Sequence, residues 1–88
     1  MAYVNEVTRH AADQVAIARA ADADKYAPYY WTRATQYLHR ARHNAGHADF
    51  QAATRFGQLA AEAAAQATTE ALLAKGSAKP AESRKDTP

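Results

Sequence analysis

Residues 50–74 read FQAATRFGQLAAEAAAQATTEALLA. Phe50, Ala53, Gly57, Ala60, Ala64, Ala67, Ala71 and Ala74 recur in steps of three and four, which places them on one face of a single helix. All but Phe50 are alanine or glycine. A face this smooth lets a neighbouring helix approach closely, because interaxial distance depends on the side chains at the contact. Gly57 in mid-helix costs about 1 kcal/mol against alanine. It is therefore expected beneath something bulky, with Trp31 or Tyr30 of the preceding helix as candidates. Asp49, just before the run, is the expected N-cap.

Toward the N-terminus, Pro28 suits the first turn of a second helix. Its seam is Trp31, Ala34, Leu38, Ala41 and Ala45, and Gly46 is the expected left-handed stop. A first helix shows in Val4, Val7, Ala11, Val15 and Ala18, with Asn5 a candidate N-cap. It should end by Ala27, because a residue before proline avoids the α region. Toward the C-terminus, GSAKPAESRKDTP has no apolar period and reads as a disordered tail. Short connections make consecutive helices antiparallel neighbours. The expectation is an all-α fold: an antiparallel helical hairpin plus an N-terminal helix, up-down-up, over residues 1–75. The helices fall at about 4–23, 28–45 and 49–75, with the tail over 76–88. The packing positions are Ala34, Leu38, Ala41, Phe50, Ala53, Gly57, Ala60 and Ala64.

Composition points the same way. Eighty-eight residues allow one domain. The large core formers are three valines, one isoleucine, four leucines, two phenylalanines and Trp31, against 25 alanines. Such a chain is helical by propensity but buries little per residue. No cysteine is present, so disulfide and thiol chemistry are excluded. No apolar run approaches the roughly 18 residues of a membrane span. A formal charge of +2 is too small to imply nucleic acid.

Three features could carry chemistry. His39, His43 and His47 are spaced every four residues, the spacing of metal ligands on a helix. With Gly46 ending the helix before His47 and no carboxylate among them, they read as solvated histidines near a helix C-terminus. From Lys25 to Ala48 no acidic residue occurs, while Arg33, Arg40 and Arg42 are cationic. Tyr26, Tyr29, Tyr30, Trp31 and Tyr37 crowd the start of the second helix and cannot all face its seam; packing at the open end of the hairpin is expected to take most of them. Tyr29, Tyr30, Trp31, Arg33, Tyr37, Arg40 and Arg42 thus make a candidate interaction surface, since aromatic and arginine side chains anchor interfaces. No serine or carboxylate constellation and no glycine-rich phosphate loop suggests catalysis, so no enzyme activity, cofactor or small-molecule substrate is expected.

The stretch from Tyr26 to Ala67 resembles a known family. The residues that carry the likeness are Tyr26-Ala27-Pro28-Tyr29, Ala34, Tyr37-Leu38, Ala41-Arg42, Ala45-Gly46, Asp49-Phe50, Ala53 and Arg55-Phe56-Gly57. They are similar to domain of unknown function 4398, found in small alanine-rich bacterial envelope proteins. The sequence departs from that pattern at Tyr30 and His43, where members often carry glutamate. The resemblance implies a non-catalytic structural or protein-interaction module, the soluble part of a lipoprotein in the periplasm or at the outer membrane of a Gram-negative bacterium. Its partner would be an envelope protein or another copy of itself, with no nucleic acid involved. It further implies a leader and a lipidated cysteine at or just before position 1, which would anchor the module to a membrane. The alternative is a cytoplasmic or phage-encoded helical binding protein that docks an acidic partner through its basic aromatic helix. Phe50, Ala53, Gly57 and Ala60 are also similar to the second helix of a single tetratricopeptide-like pair.

Overall fold

The computed structural model describes the backbone of residues 2–86 and the side chains of residues 3–76. It is all-α: α1 (Ala2–Ala20), a single turn α2 (Ala23–Tyr26), α3 (Pro28–Gly46) and α4 (Phe50–Asp86). α4 is the spine. α3 runs antiparallel to it and α1 parallel to it, so the long helices alternate up, down, up. Gly57 of α4 meets Val7 of α1, and Phe56 of α4 stacks with Tyr37 of α3.

The α4 seam explains why one helix can serve two partners. Ala53, Gly57, Ala60, Ala63, Ala64, Ala67 and Ala71 are buried, and the adjacent pair Ala63–Ala64 widens the apolar face beyond a single stripe. From α3 come buried Ala34, Leu38 and Ala41; from α1 come Val4, Ala11, Val15 and Ala18. Phe50, at the start of α4, is only half-buried. Among the described residues, thirteen of the sixteen buried hydrophobic residues are alanine. The core is held by closeness of backbones rather than by bulk.

Five local expectations are corrected. The first helix does not run unbroken to residue 23. Asp22 turns left-handed (φ 61°, ψ 36°), and its N–H bonds back to the Arg19 carbonyl at 2.9 Å. On a straight helix Ala23 would lie about 140° around from Ala18, away from α4. The break instead lets Ala18, Ala21, Ala23 and Ala27 pack together against Ala67 and Ala71. Asn5 is not the cap of α1, which is already helical from Ala2.

Gly46 is not the left-handed stop of α3 either. It is helical, and the positive φ falls on Ala48 (61°). The Asp49 N–H reaches the Asn44 carbonyl at 2.8 Å and the Ala48 N–H the Ala45 carbonyl at 3.0 Å. These two bonds satisfy carbonyls that a helix end leaves open. Asp49 then caps α4, its Oδ1 accepting from the Ala52 N–H at 3.3 Å.

Finally, Gly57 lies under Val7 of α1 and not under an aromatic residue of α3. The two helices of the hairpin meet through alanine, Leu38 and the Tyr37–Phe56 stack, and the glycine is used where α1 crosses close. The backbone of α4 continues as helix past residue 75 to Asp86. The side chains of residues 77–88, on which most of the expected tail falls, lie outside the described residues. Among those described, Ala71 is the last buried position of α4. Beyond it Lys75 closes the end of the module, with Nζ 2.9 Å from Asp22 Oδ2 and 5.8 Å from the Tyr26 ring centre.

Candidate functional site

The outer face of α3 is built from helical spacing alone. Tyr29, Arg33 and Tyr37 follow at four-residue steps and Arg40 three beyond, so they form one stripe, exposed at Tyr29, Arg33 and Arg40 and half-buried at Tyr37. The Arg33 guanidinium lies 5.5 Å from the Tyr29 ring centre and 5.2 Å from that of Tyr37. It also donates a hydrogen bond to the Tyr37 hydroxyl. Arg40 lies 5.6 Å from the Phe56 ring, and Phe56 stacks with Tyr37 at 6.2 Å. Tyr30 meets Tyr29 edge-on at 5.0 Å. Cations and ring faces therefore alternate along the stripe, each arginine held by ring quadrupoles. None of these arginines pairs with a carboxylate among the described residues, where the one salt bridge is Lys75–Asp22.

The seven residues singled out from the sequence do not form one surface. Tyr29, Arg33, Tyr37 and Arg40 stand together. Trp31 is half-buried against the core, with Arg19 of α1 stacked 5.4 Å from its ring. Tyr30 is half-buried against the alanine cluster around Ala67 and Ala71. Arg42 faces the other way and lines shallow surface with Thr8, Arg9 and Ala12 of α1. A helix turns 100° per residue, so arginines two apart cannot share a face. The aromatic cluster thus divides: Tyr26 and Tyr29 stay exposed while Tyr30 and Trp31 pack inward.

Two further residues belong to the site. Phe56 and Arg55 of α4 border the stripe, lining a groove of about 730 Å³ with Tyr37, Arg40 and Asp49. Their signal in the sequence is the hairpin itself: counting back from the turn at 47–49, residues near 56 fall opposite residues near 38–40.

His39, His43 and His47 are all exposed at the C-terminal end of α3, which closes at Gly46; the His43 and His47 rings stand tilted with centres 4.5 Å apart. Among the described residues no three histidine or carboxylate side chains gather in a way that could hold a metal ion. No described helix is long and apolar enough to cross a membrane.

The Lys75 ammonium, by hydrogen bond and by charge, holds the Asp22 carboxyl below its ordinary value. Compared with known protein families, curated proteins and solved structures, the chain matches none.

Proposed function

We propose that the chain is a non-catalytic docking module of the bacterial cell envelope, the soluble part of a lipoprotein, and that its Tyr29–Arg33–Tyr37–Arg40 stripe binds an acidic stretch of a partner protein. One observation carries the docking half. Arg33 is clamped between two tyrosine rings, exposed and without a carboxylate partner among the described residues. An arginine fixed in this way loses little side-chain freedom on binding, and its flanking rings add contact area at low entropic cost. Tyr29, 61% exposed, supplies the projecting anchor. The envelope half rests on the resemblance carried by Tyr26–Ala67.

A fluorescent oligoglutamate peptide tests the docking half. Tyr29→Ala combined with Arg33→Ala should weaken binding by roughly tenfold or more, while Gln66→Ala, an exposed change on α4 outside the stripe, should not. Equal binding by both variants would remove the stripe from the argument. The envelope half is tested by the gene: a leader ending in a lipidated cysteine supports it, and a gene without one overturns it.

A further inference from the structure

The molecule carries a second exposed feature with the opposite charge. α1 and α4 run side by side over a groove of about 490 Å³. Val7, Gly57 and Ala61 form its less exposed floor, and Glu6 and Glu62 stand exposed at its edges. Neither glutamate pairs with a cation among the described residues. The floor is shallow and apolar because Gly57 has no side chain and Ala61 has only a methyl group.

We propose that this groove receives the α3 stripe of a second copy of the same chain. The inference rests on the docking reading above and names its partner. Charge complementarity carries it. Among the described residues Arg33 and Arg40, with Arg55 beside them, outnumber the one carboxylate near them, Asp49, whose Oδ1 is engaged in capping α4, while Glu6 and Glu62 flank a groove whose one basic lining residue is His10.

Spacing agrees. Two helical turns separate Arg33 from Arg40, about 10 Å along the axis. Glu6 lies level with the Val7–Gly57 contact, and Glu62 lies five residues beyond Gly57 on the neighbouring helix. With an interaxial gap of about 8 Å for so small a contact, the two glutamates are about 12 Å apart at their Cα atoms. Each arginine can therefore meet one glutamate, while a tyrosine of the stripe covers the apolar floor.

The contact is head-to-tail: one face of a copy meets a different face of the next. It leaves a free stripe on one copy and a free groove on the other, so association grows with concentration and does not stop at a dimer. Being held by exposed charges, it is weak and salt-sensitive.

Sedimentation velocity on the full chain tests this. At about 20 mM salt, where the Debye length exceeds 20 Å or so, the average mass should rise with concentration above the 9.5 kDa monomer; at about 0.5 M salt it should return to monomer. Arg33→Glu with Arg40→Glu should be monomeric, and so should Glu6→Lys with Glu62→Lys. Mixed together, the two variants should associate again and grow with concentration, because the native stripe of one meets the native groove of the other and the reversed stripe meets the reversed groove. Circular dichroism establishes that each variant is folded. Should either fail to fold, the glutamine substitutions at the same positions replace it. A wild-type chain that stays monomeric at low salt overturns the inference. So does association indifferent to salt, association by either variant alone, or a mixture that remains monomeric. A monomeric wild-type chain that still binds oligoglutamate through Arg33 would keep the docking reading and remove only the second copy as partner. Loss of both would remove both.

Discussion

A Cβ placed on Gly57 of α4 would stand 2.6 Å from Val7 Cγ1 of α1. That is closer than side-chain carbons approach one another, so any residue but glycine here must push the Val7 methyl aside, although the Val7 backbone, at 3.7 Å, would be in ordinary contact. The contact also fixes the register of α1 on α4, because neither helix can slide without driving Val7 into an alanine Cβ.

Gly57→Leu should therefore destabilise the fold by about 1–3 kcal/mol through overpacking. Gly57→Ala is the subtler case. It gains about 1 kcal/mol of helix propensity but forces Val7 to shift. Combining it with Val7→Ala should recover stability beyond the sum of the single effects, since the two residues touch. Thermal melts of the four proteins measure the coupling, and an unchanged midpoint for Gly57→Leu would mean that α1 does not lie there.

The α3–α4 turn predicts an exchange of residue preferences. Ala48 holds a positive φ that costs an L-residue about 1–2 kcal/mol, while Gly46 sits in the helix with open space around its missing Cβ. Ala48→Gly and Gly46→Ala should each raise stability, by about 0.5–1 kcal/mol. Urea titration gives both values. A loss from Ala48→Gly would show that the left-handed residue is placed wrongly.

Acid should act on the Asp22–Lys75 clasp. The folded state favours the charged carboxylate, so its pKa is depressed. The stability it contributes is fully present above the ordinary aspartate value of about 3.9 and is lost as pH falls below it. Asp22→Asn keeps a residue that tolerates the left-handed backbone but removes the charge. Its melting point should lie slightly below wild type at pH 7 and converge on it near pH 2. The gap is small because the pair is exposed. A gap that persists in strong acid would assign the effect to the turn and not to the ion pair.

His43 and His47 offer two imidazoles without a third ligand beside them among the described residues. Zinc sites that hold a fold use four ligands. Modest excess zinc should therefore leave the melting temperature nearly unchanged. A rise of several degrees that a chelator reverses would reveal a structural site, because a ligand bound only to the native state must stabilise it.

The long helices were legible in the residues themselves. Three- and four-step recurrence placed the seams of α3 and α4, and Asp49 was readable as a cap from its position before Phe50. These features depend on neighbours a few residues away, and local geometry is what a periodic pattern encodes. The short connections also implied the alternation of helix directions. The stripe was half legible: Tyr29, Arg33, Tyr37 and Arg40 follow from helical spacing, whereas Trp31 and Arg42 were grouped with them by nearness in sequence.

Tertiary structure alone decided which partner each face meets. An alanine seam accepts any helix, so nothing in α4 could say that Gly57 receives Val7 instead of Trp31. The left-handed turn at Asp22 was equally hidden, because it sets Ala23 and Ala27 against Ala67 and Ala71, residues forty or more positions away. The left-handed turn at Ala48 ran against intrinsic preference, which favours Gly46 for that role. There the hydrogen bonds from Asp49 and Ala48 back to Asn44 and Ala45, and the capping of α4 by Asp49, outweigh the backbone strain of one alanine. Sequence periodicity thus set the helices, and close packing between smooth faces set how they are joined, because that choice depends on contacts between residues far apart in the chain.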